Sequence, residues 1–461
     1  MKLKSLIGDR NFYRHVLAVA IPILIQNSIG NFVSLLDNIM VGQVGTIPMS
    51  GVSIVNNLLF VFNMCVFGAT SGAGIFTAQF HGCRDQEGIR HTFRYKILVC
   101  LALAVGGITI FLAGGKALIL LYLRGETDVQ AAASALAYGM DYMKIMLLGL
   151  PPFALSYAYA GTLRETDHGI VPTVASSIAV FLNMALNYVL IFGHFGAPEL
   201  GVNGAAIATV ISRYVELAIV VLWTHLNPGK NPFIRGAYQS LRIPGDLCRS
   251  ITVKGMPLLG NEFLWATGMA FLSQCYSTRG LDVVAAFNIA STLFNLSSVA
   301  FMAMGNAVGI IMGQMLGAGT GEEEIRVANG RLIFIAVASC AIFSTLMAGC
   351  SVVFPMLYNT TDSVRHIATA LICVTAAIMP FNAYTTSVYF TLRSGGQTAI
   401  TFIFDSGFVW VIIVPIAYCL SRFTPMAIIP LYAICQATDL LKCVFGRMMI
   451  KKGSWIQNLT R

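Results

Sequence analysis

Between Lys96 and Lys116 the chain reads ILVCLALAVGGITIFLAGG (residues 97–115), a stretch without one charged side chain. At a helical rise of about 1.5 Å per residue it covers roughly 28 Å, close to the ~30 Å thickness of a bilayer's hydrocarbon core. Runs of this kind recur along the whole sequence, and twelve of them predict membrane-spanning helices. They lie near 14–41, 50–79, 95–121, 131–159, 170–193, 203–225, 250–276, 283–313, 328–356, 364–390, 399–420 and 426–449. The composition agrees: of 461 residues, 56% are hydrophobic and only 11% charged, with a mean hydropathy of +0.74. Soluble domains carry about a quarter charged residues, so no water-facing surface of this size can be built from this chain. The fold class that follows is an all-α integral membrane protein.

Twelve crossings put both termini on one side, and the loop charges say which. Lys116, Arg124, Arg279, Arg365 and Arg422 lie on the opposite face, whereas Lys2, Lys4, Arg10, Arg14, Arg84, Arg90, Arg94, Lys96 and the Lys230–Arg249 group share the side of the termini. The positive-inside rule places that side in the cytoplasm, making the chain a multi-pass protein of the cytoplasmic membrane. The formal net charge of +9 is this asymmetry and not a nucleic-acid surface. The first run is too long for the apolar region of a signal peptide and has no small-residue cleavage site after it, so it is expected to be retained. The eleven cysteines contain no C-x-x-C and mostly lie within spans, as small packing residues do.

One long charged loop, opened by Asn227-Pro228-Gly229-Lys230-Asn231-Pro232, divides the spans into two groups of six. The expected domains are an N-lobe at 1–225, a cytoplasmic linker at 226–249 and a C-lobe at 250–461. The two groups resemble each other. Ala20-Ile21-Pro22-Ile23-Leu24 aligns with Gly255-Met256-Pro257-Leu258-Leu259, and at the same offset Gly45, Gly74, Gln79 and Gly82 meet Gly280, Gly309, Gln314 and Gly317. Six helices per half make the halves run the same way, related by pseudo-two-fold symmetry along the membrane normal, with binding sites expected in or between the lobes near mid-membrane.

An ionisable side chain in hydrocarbon costs about 2.5 kcal/mol or more on insertion scales, so each requires a partner or a task. The spans hold six acids. Asp141, Glu216 and Asp439 each have a basic residue three positions away (Lys144, Arg213 and Lys442), on the same helix face, and are expected to form structural pairs. Asp37, Glu262 and Asp405 have none, although Arg393 could serve Asp405. In the first span Gln26, Asn27, Asn31, Ser34, Asp37 and Asn38 fall within an arc of roughly 140° at 100° per residue, a polar stripe that cannot face lipid. Such a stripe supplies oxygens for a Na⁺ or a seat for a proton. Ser176, Asn183 and Asn187 form a second polar face in the fifth span. Polar side chains also join membrane helices without any transport role, and for the asparagines that alternative stands beside the functional one.

No G-x-S-x-G, H-E-x-x-H or P-loop occurs. No enzyme is expected, and with no nucleotide motif, uphill transport would draw on an ion gradient. No cofactor is implied beyond a bound Na⁺ at Asp37.

The ordered set Pro22, then Ser34-Leu35-Leu36-Asp37-Asn38-Ile39-Met40-Val41-Gly42, then Leu163-Arg164-Glu165-Thr166-Asp167, Pro172, Asn183-Met184-Ala185-Leu186-Asn187-Tyr188, Gly201-Val202-Asn203-Gly204-Ala205-Ala206 and Leu392-Arg393-Ser394-Gly395-Gly396-Gln397-Thr398 resembles the multidrug and toxic compound extrusion transporters over nearly the whole chain. The resemblance implies a V-shaped pair of six-helix lobes, active as a monomer, exporting organic cations in exchange for Na⁺ or H⁺. It implies cation coupling at Asp37 and at Glu262, the latter matching a glutamate of the bacterial NorM-like branch, with Gln26, Asn27, Asn183, Asn187, Asn382 and Asp405 in support. The chain departs from the family at two positions. It has Asn382 where the NorM-like branch has an aspartate, and Asn187 where archaeal proton-coupled members have one. A flippase for lipid-linked sugars, of the same superfamily, is the alternative; buried acids favour a cationic substrate over it.

Overall fold

The computed structural model describes residues 8–123, 129–358 and 360–460, with the side chains of Val33, Ser34, Leu35, Asn38, Ile39, Thr46 and Leu281 outside the description. Ser34 and Asn38 of the polar stripe, and Lys2, Lys4 and Arg124 of the loop charges, therefore lie outside the described residues. Twelve helical spans follow in order: α1 Arg10–Gly42, α2 Thr46–Gly82, α3 Gln86–Tyr122, α4 Val129–Leu147 continued by Leu150–Glu165, α5 Ile170–Phe192, α6 Val202–Leu226, α7 Gly245–Ser277, α8 Leu281–Gly317, α9 Glu322–Cys350, α10 Asp362–Ser394, α11 Thr398–Phe423 and α12 Ile428–Lys452. Among the described residues there is no strand.

Eleven of the twelve are long and apolar enough to cross a membrane, counting the two parts of α4 as one span. The exception is α7, which carries Asp246, Arg249, Lys254 and Glu262 within one helix. The α4 run expected at 131–159 reaches Glu165 and is bent by 47° at Leu148–Gly149. Pro151 and Pro152 follow the break; their rings clash with preceding helical carbonyls, and neither has an N–H to carry the ladder through. Pro22 and Pro257 lie inside α1 and α7 at corresponding places.

The chain divides into two compact units, Ile25–Thr77 with Asp85–Thr252, and Met1–Leu24 with Ala78–Arg84 and Val253–Arg461. In the first, Phe93 of α3 packs edge-on against Tyr159 of α4, with ring centroids 4.9 Å apart, and against Phe233 of the mid-chain loop. Arg94 gives that loop three of its fastenings, and Arg90 Nε donates a further bond to Phe233 O at 3.2 Å. The Arg94 guanidinium donates to Ala237 O at 2.7 Å, Gly236 O at 2.8 Å and Arg242 O at 3.1 Å. Five fixed donors on a planar group suit it to turn carbonyls that lack helical partners.

In the second unit, Val16, Val19, Ala20 and Ile23 of α1 join a core with Ala303, Met304, Ala307 and Ile311 of α8, so the start of α1 groups with the C-terminal helices. Here the ends of α2 and α8 cross at backbone contact. A Cβ on Gly82 would lie 1.9 Å from Gln314 O, and one on Gly317 would lie 1.9 Å from Gln79 O. These are the residues that the internal repeat aligns with each other, so the contact is reciprocal, as a two-fold relation requires. The Gln79 side chain reaches onward to Ser394 O at 2.9 Å, Gln457 O at 3.2 Å and Leu459 N at 2.7 Å, and it seats the C-terminal segment beside the fully buried Trp455.

Candidate functional site

Among the described residues, the candidate acids Asp37, Glu262 and Asp405 lie in two polar centres within the spans, one in each unit. The first joins α1, α5 and α6. Asn187 Nδ2 donates to Asp37 Oδ1 at 2.5 Å, and eleven residues earlier on both helices Gln26 Nε2 donates to Ser176 Oγ at 2.7 Å. Equal spacing in ascending order means that α1 and α5 run parallel and in register, with the polar stripe of one facing that of the other. The Asn183 carboxamide completes the centre and serves either way round. With its oxygen toward Asn187 it accepts from Asn187 Nδ2 at 3.2 Å and donates to Thr209 Oγ1 of α6 at 3.2 Å. Turned over, its nitrogen donates to the two Asp37 oxygens at 2.9 and 3.3 Å while its oxygen accepts from Thr209 at 3.2 Å.

Two amide oxygens of this centre are left without a donor among the described residues, Gln26 Oε1 and Asn187 Oδ1. Asn187 Oδ1 is buried and accepts from nothing, although the residue is only 1% exposed. A buried acceptor without a donor costs about 1–3 kcal/mol. An oxygen held beside a carboxylate suits a small hard cation.

Glu216 enters the same centre from α6. Its expected pairing with Arg213 does not form: Ser176 Oγ donates to Glu216 Oε1, while Arg213 Nη1 donates to Gly149 O at 3.3 Å and its guanidinium stacks 5.0 Å from the Phe153 ring centroid. Guanidinium is weakly hydrated and stacks readily on aromatic faces, and that competes with a same-helix carboxylate. The Asn27 side chain makes no hydrogen bond among the described residues.

The second centre joins α7, α10, α11 and α12. Asp405 Oδ1 accepts from Lys442 Nζ of α12 at 2.7 Å, and Oδ2 accepts from Asn261 Nδ2 of α7 at 3.1 Å. Lys442 therefore pairs with Asp405, not with Asp439 three residues before it, and Asp405 does not take Arg393. Asn261 Oδ1 receives Ser406 Oγ at 2.8 Å and Ser406 N at 3.3 Å. The backbone around Asp405 is π-helical over Ile403–Gly407 and again over Val409–Ile413, a widened turn that sets the carboxylate toward α7 and α12. Glu262 follows Asn261 and forms no ion pair among the described residues; Arg393 and Asp405 are the charges that act on it most. The Asn382 side chain makes no hydrogen bond among the described residues. Asp141 and Lys144 do pair, at 3.0 Å on an exposed helix face.

The MatE family model matches residues 22–189 and 257–419, one segment in each half. The chain is 22% identical to a probable multidrug resistance protein NorM of Thermotoga maritima, over 96% of this chain and 93% of the relative. It is 26% identical to the probable multidrug resistance protein YoeA of Bacillus subtilis, over 90% and 89%. A solved structure of a multidrug resistance MATE family transporter of the MOP superfamily, in an outward-facing conformation, shares the fold with a TM-score of 0.85 at 19% identity, covering 98% of this chain and 99% of that one. The match in both halves, the shared fold and the twelve spans lead to one conclusion: the chain belongs to the MatE family, a multi-pass membrane transporter and not an enzyme.

Proposed function

We propose that the protein exports organic cations, drugs among them, across the cytoplasmic membrane in exchange for Na⁺ or H⁺, with both termini cytoplasmic and the monomer as the working unit. The carrying observation is the unpartnered Asn187 Oδ1 beside Asp37. The multidrug-resistance names of the relatives support the substrate class. In this reading Asp37 holds the coupling cation with Asn183, Asn187 and Thr209. Glu262, which forms no ion pair among the described residues, is the carboxylate that an organic cation meets in the C-terminal unit. Exchange requires that the two ligands favour different states of the carrier. A lipid-linked anionic substrate would meet repulsion from Asp37, Glu216 and Glu262, none of which has an ion-pair partner among the described residues.

The test is Asp37→Asn. The amide keeps the shape and the contact with Asn187 but cannot bind and release a proton, and it holds Na⁺ weakly. Ethidium efflux from energised cells is expected to fall to the background of non-expressing cells at matched membrane expression. Efflux at the wild-type rate would remove Asp37 from the coupling reaction.

A further inference from the structure

We infer that Gln26, Ser176 and Glu216 form a second seat for a monovalent cation, Na⁺ or H⁺, on the same α1–α5 seam as Asp37. The inference rests on the proposed role of Asp37 and extends it to a site of different residues.

The donors run in one direction. Gln26 Nε2 donates to Ser176 Oγ, and Ser176 Oγ donates its own hydrogen to Glu216 Oε1. This chain commits the Ser176 hydroxyl proton to Glu216, and it leaves Gln26 Oε1 buried with no donor among the described residues. The Asp37 centre has the same composition: a carboxylate, a donor amide bonded into the seam, and one amide oxygen left without a partner. Oxygens from a carboxylate, a hydroxyl and an amide are the ligands a hard cation takes, and a carboxylate hydrogen-bonded to a serine hydroxyl is equally a place for a proton.

The charges facing Glu216 do not neutralise it. Arg213 on its own helix and Arg164 on α4 act on it electrostatically, yet neither forms an ion pair with it among the described residues. The two seats are eleven residues apart, roughly 16 Å along the helix axis. Gly30 lies one turn beyond Gln26 on the same face of α1, where a Cβ would meet nothing within 4 Å.

The experiment uses purified full-length protein in lipid nanodiscs, comparing wild type, Asp37→Asn, Glu216→Gln and the double variant. Bound ²²Na⁺ is counted at saturation, and proton uptake is titrated in the absence of Na⁺. A Na⁺ occupant shows as one bound ion fewer in each single variant and none in the double. A proton occupant shows as no Na⁺ binding at Glu216 but one proton fewer taken up in Glu216→Gln. Gln26→Met guards against a folding effect: it removes the unpartnered oxygen while leaving the carboxylate, and it is expected to weaken Na⁺ binding at the second seat several-fold, or to leave proton uptake unchanged if the occupant is H⁺. Glu216→Gln with wild-type counts of both ions overturns the inference. Loss confined to Glu216→Gln, with Asp37→Asn unchanged, overturns the Asp37 reading instead.

Discussion

Asp405 and Lys442 approach to 2.7 Å inside the spans, where both have given up most of their hydration and Lys442 also lies over the Phe404 ring at 5.2 Å. For such a pair the cost of breaking differs from the cost of removing it. Deleting one partner strands a buried charge, at about 3–5 kcal/mol, whereas replacing both with matched neutral groups is close to neutral. Lys442→Met is therefore expected to lower the melting temperature in detergent markedly, and Asp405→Asn in the same chain to restore most of it. Lys144→Met, which breaks an exposed pair worth about 1 kcal/mol or less, should change little. A double variant as unstable as Lys442→Met alone would mean that the pair does not act as a unit. Helical spacing identified the Asp141–Lys144 pair but gave the wrong partners for Glu216 and Lys442. Three-residue spacing shows only that two side chains can meet, and in a bundle each also has neighbours on other helices. Asp405 lies thirty-seven positions from Lys442, and Ser176 lies forty from Glu216. Such separations leave no local trace in one sequence.

Among the elements, the crossing of α2 and α8 depends most on single residues. Gly82 and Gly317 let two backbones meet where even a methyl group would overlap a carbonyl oxygen. The small-residue rule for membrane helices explains the choice. Gly317→Ala should force the helices apart and cost about 1–3 kcal/mol, the usual cost of overpacking. Gly106→Ala on α3, where nothing lies within 4 Å, should be neutral or slightly stabilising in the same melting assay. Equal behaviour of the two would show that the crossing is not under steric load. The internal repeat aligned these glycines and Gln79 with Gln314, but a sequence alignment does not tell that aligned residues touch. The bend in α4 was likewise unread: Pro151 and Pro152 stand in the sequence, yet the hydrophobic run continues through them, and hydropathy does not register a change of direction.

For the whole molecule, the number and order of the spans were legible because the bilayer imposes a length and a polarity that few other folds satisfy. Only α7 strains that rule, with Asp246, Arg249, Lys254 and Glu262 in one helix. The polar stripe of α1 was also legible, since Asp37 cannot face lipid. What periodicity could not supply was the pairing, Asn187 with Asp37 and Ser176 with Gln26, or the α6 side chains Thr209 and Glu216 that bond in turn to Asn183 and Ser176, which arises only when α1, α5 and α6 come together. If a cation bound at Asp37 drives export, proteoliposomes loaded with ethidium, with Na⁺ and pH gradients imposed separately, should show uphill ethidium movement under one of the two gradients. That movement should collapse when an ionophore dissipates the gradient, and it should be absent in Asp37→Asn. Uphill movement that survives dissipation of both gradients, or that persists in Asp37→Asn, would contradict that role of Asp37.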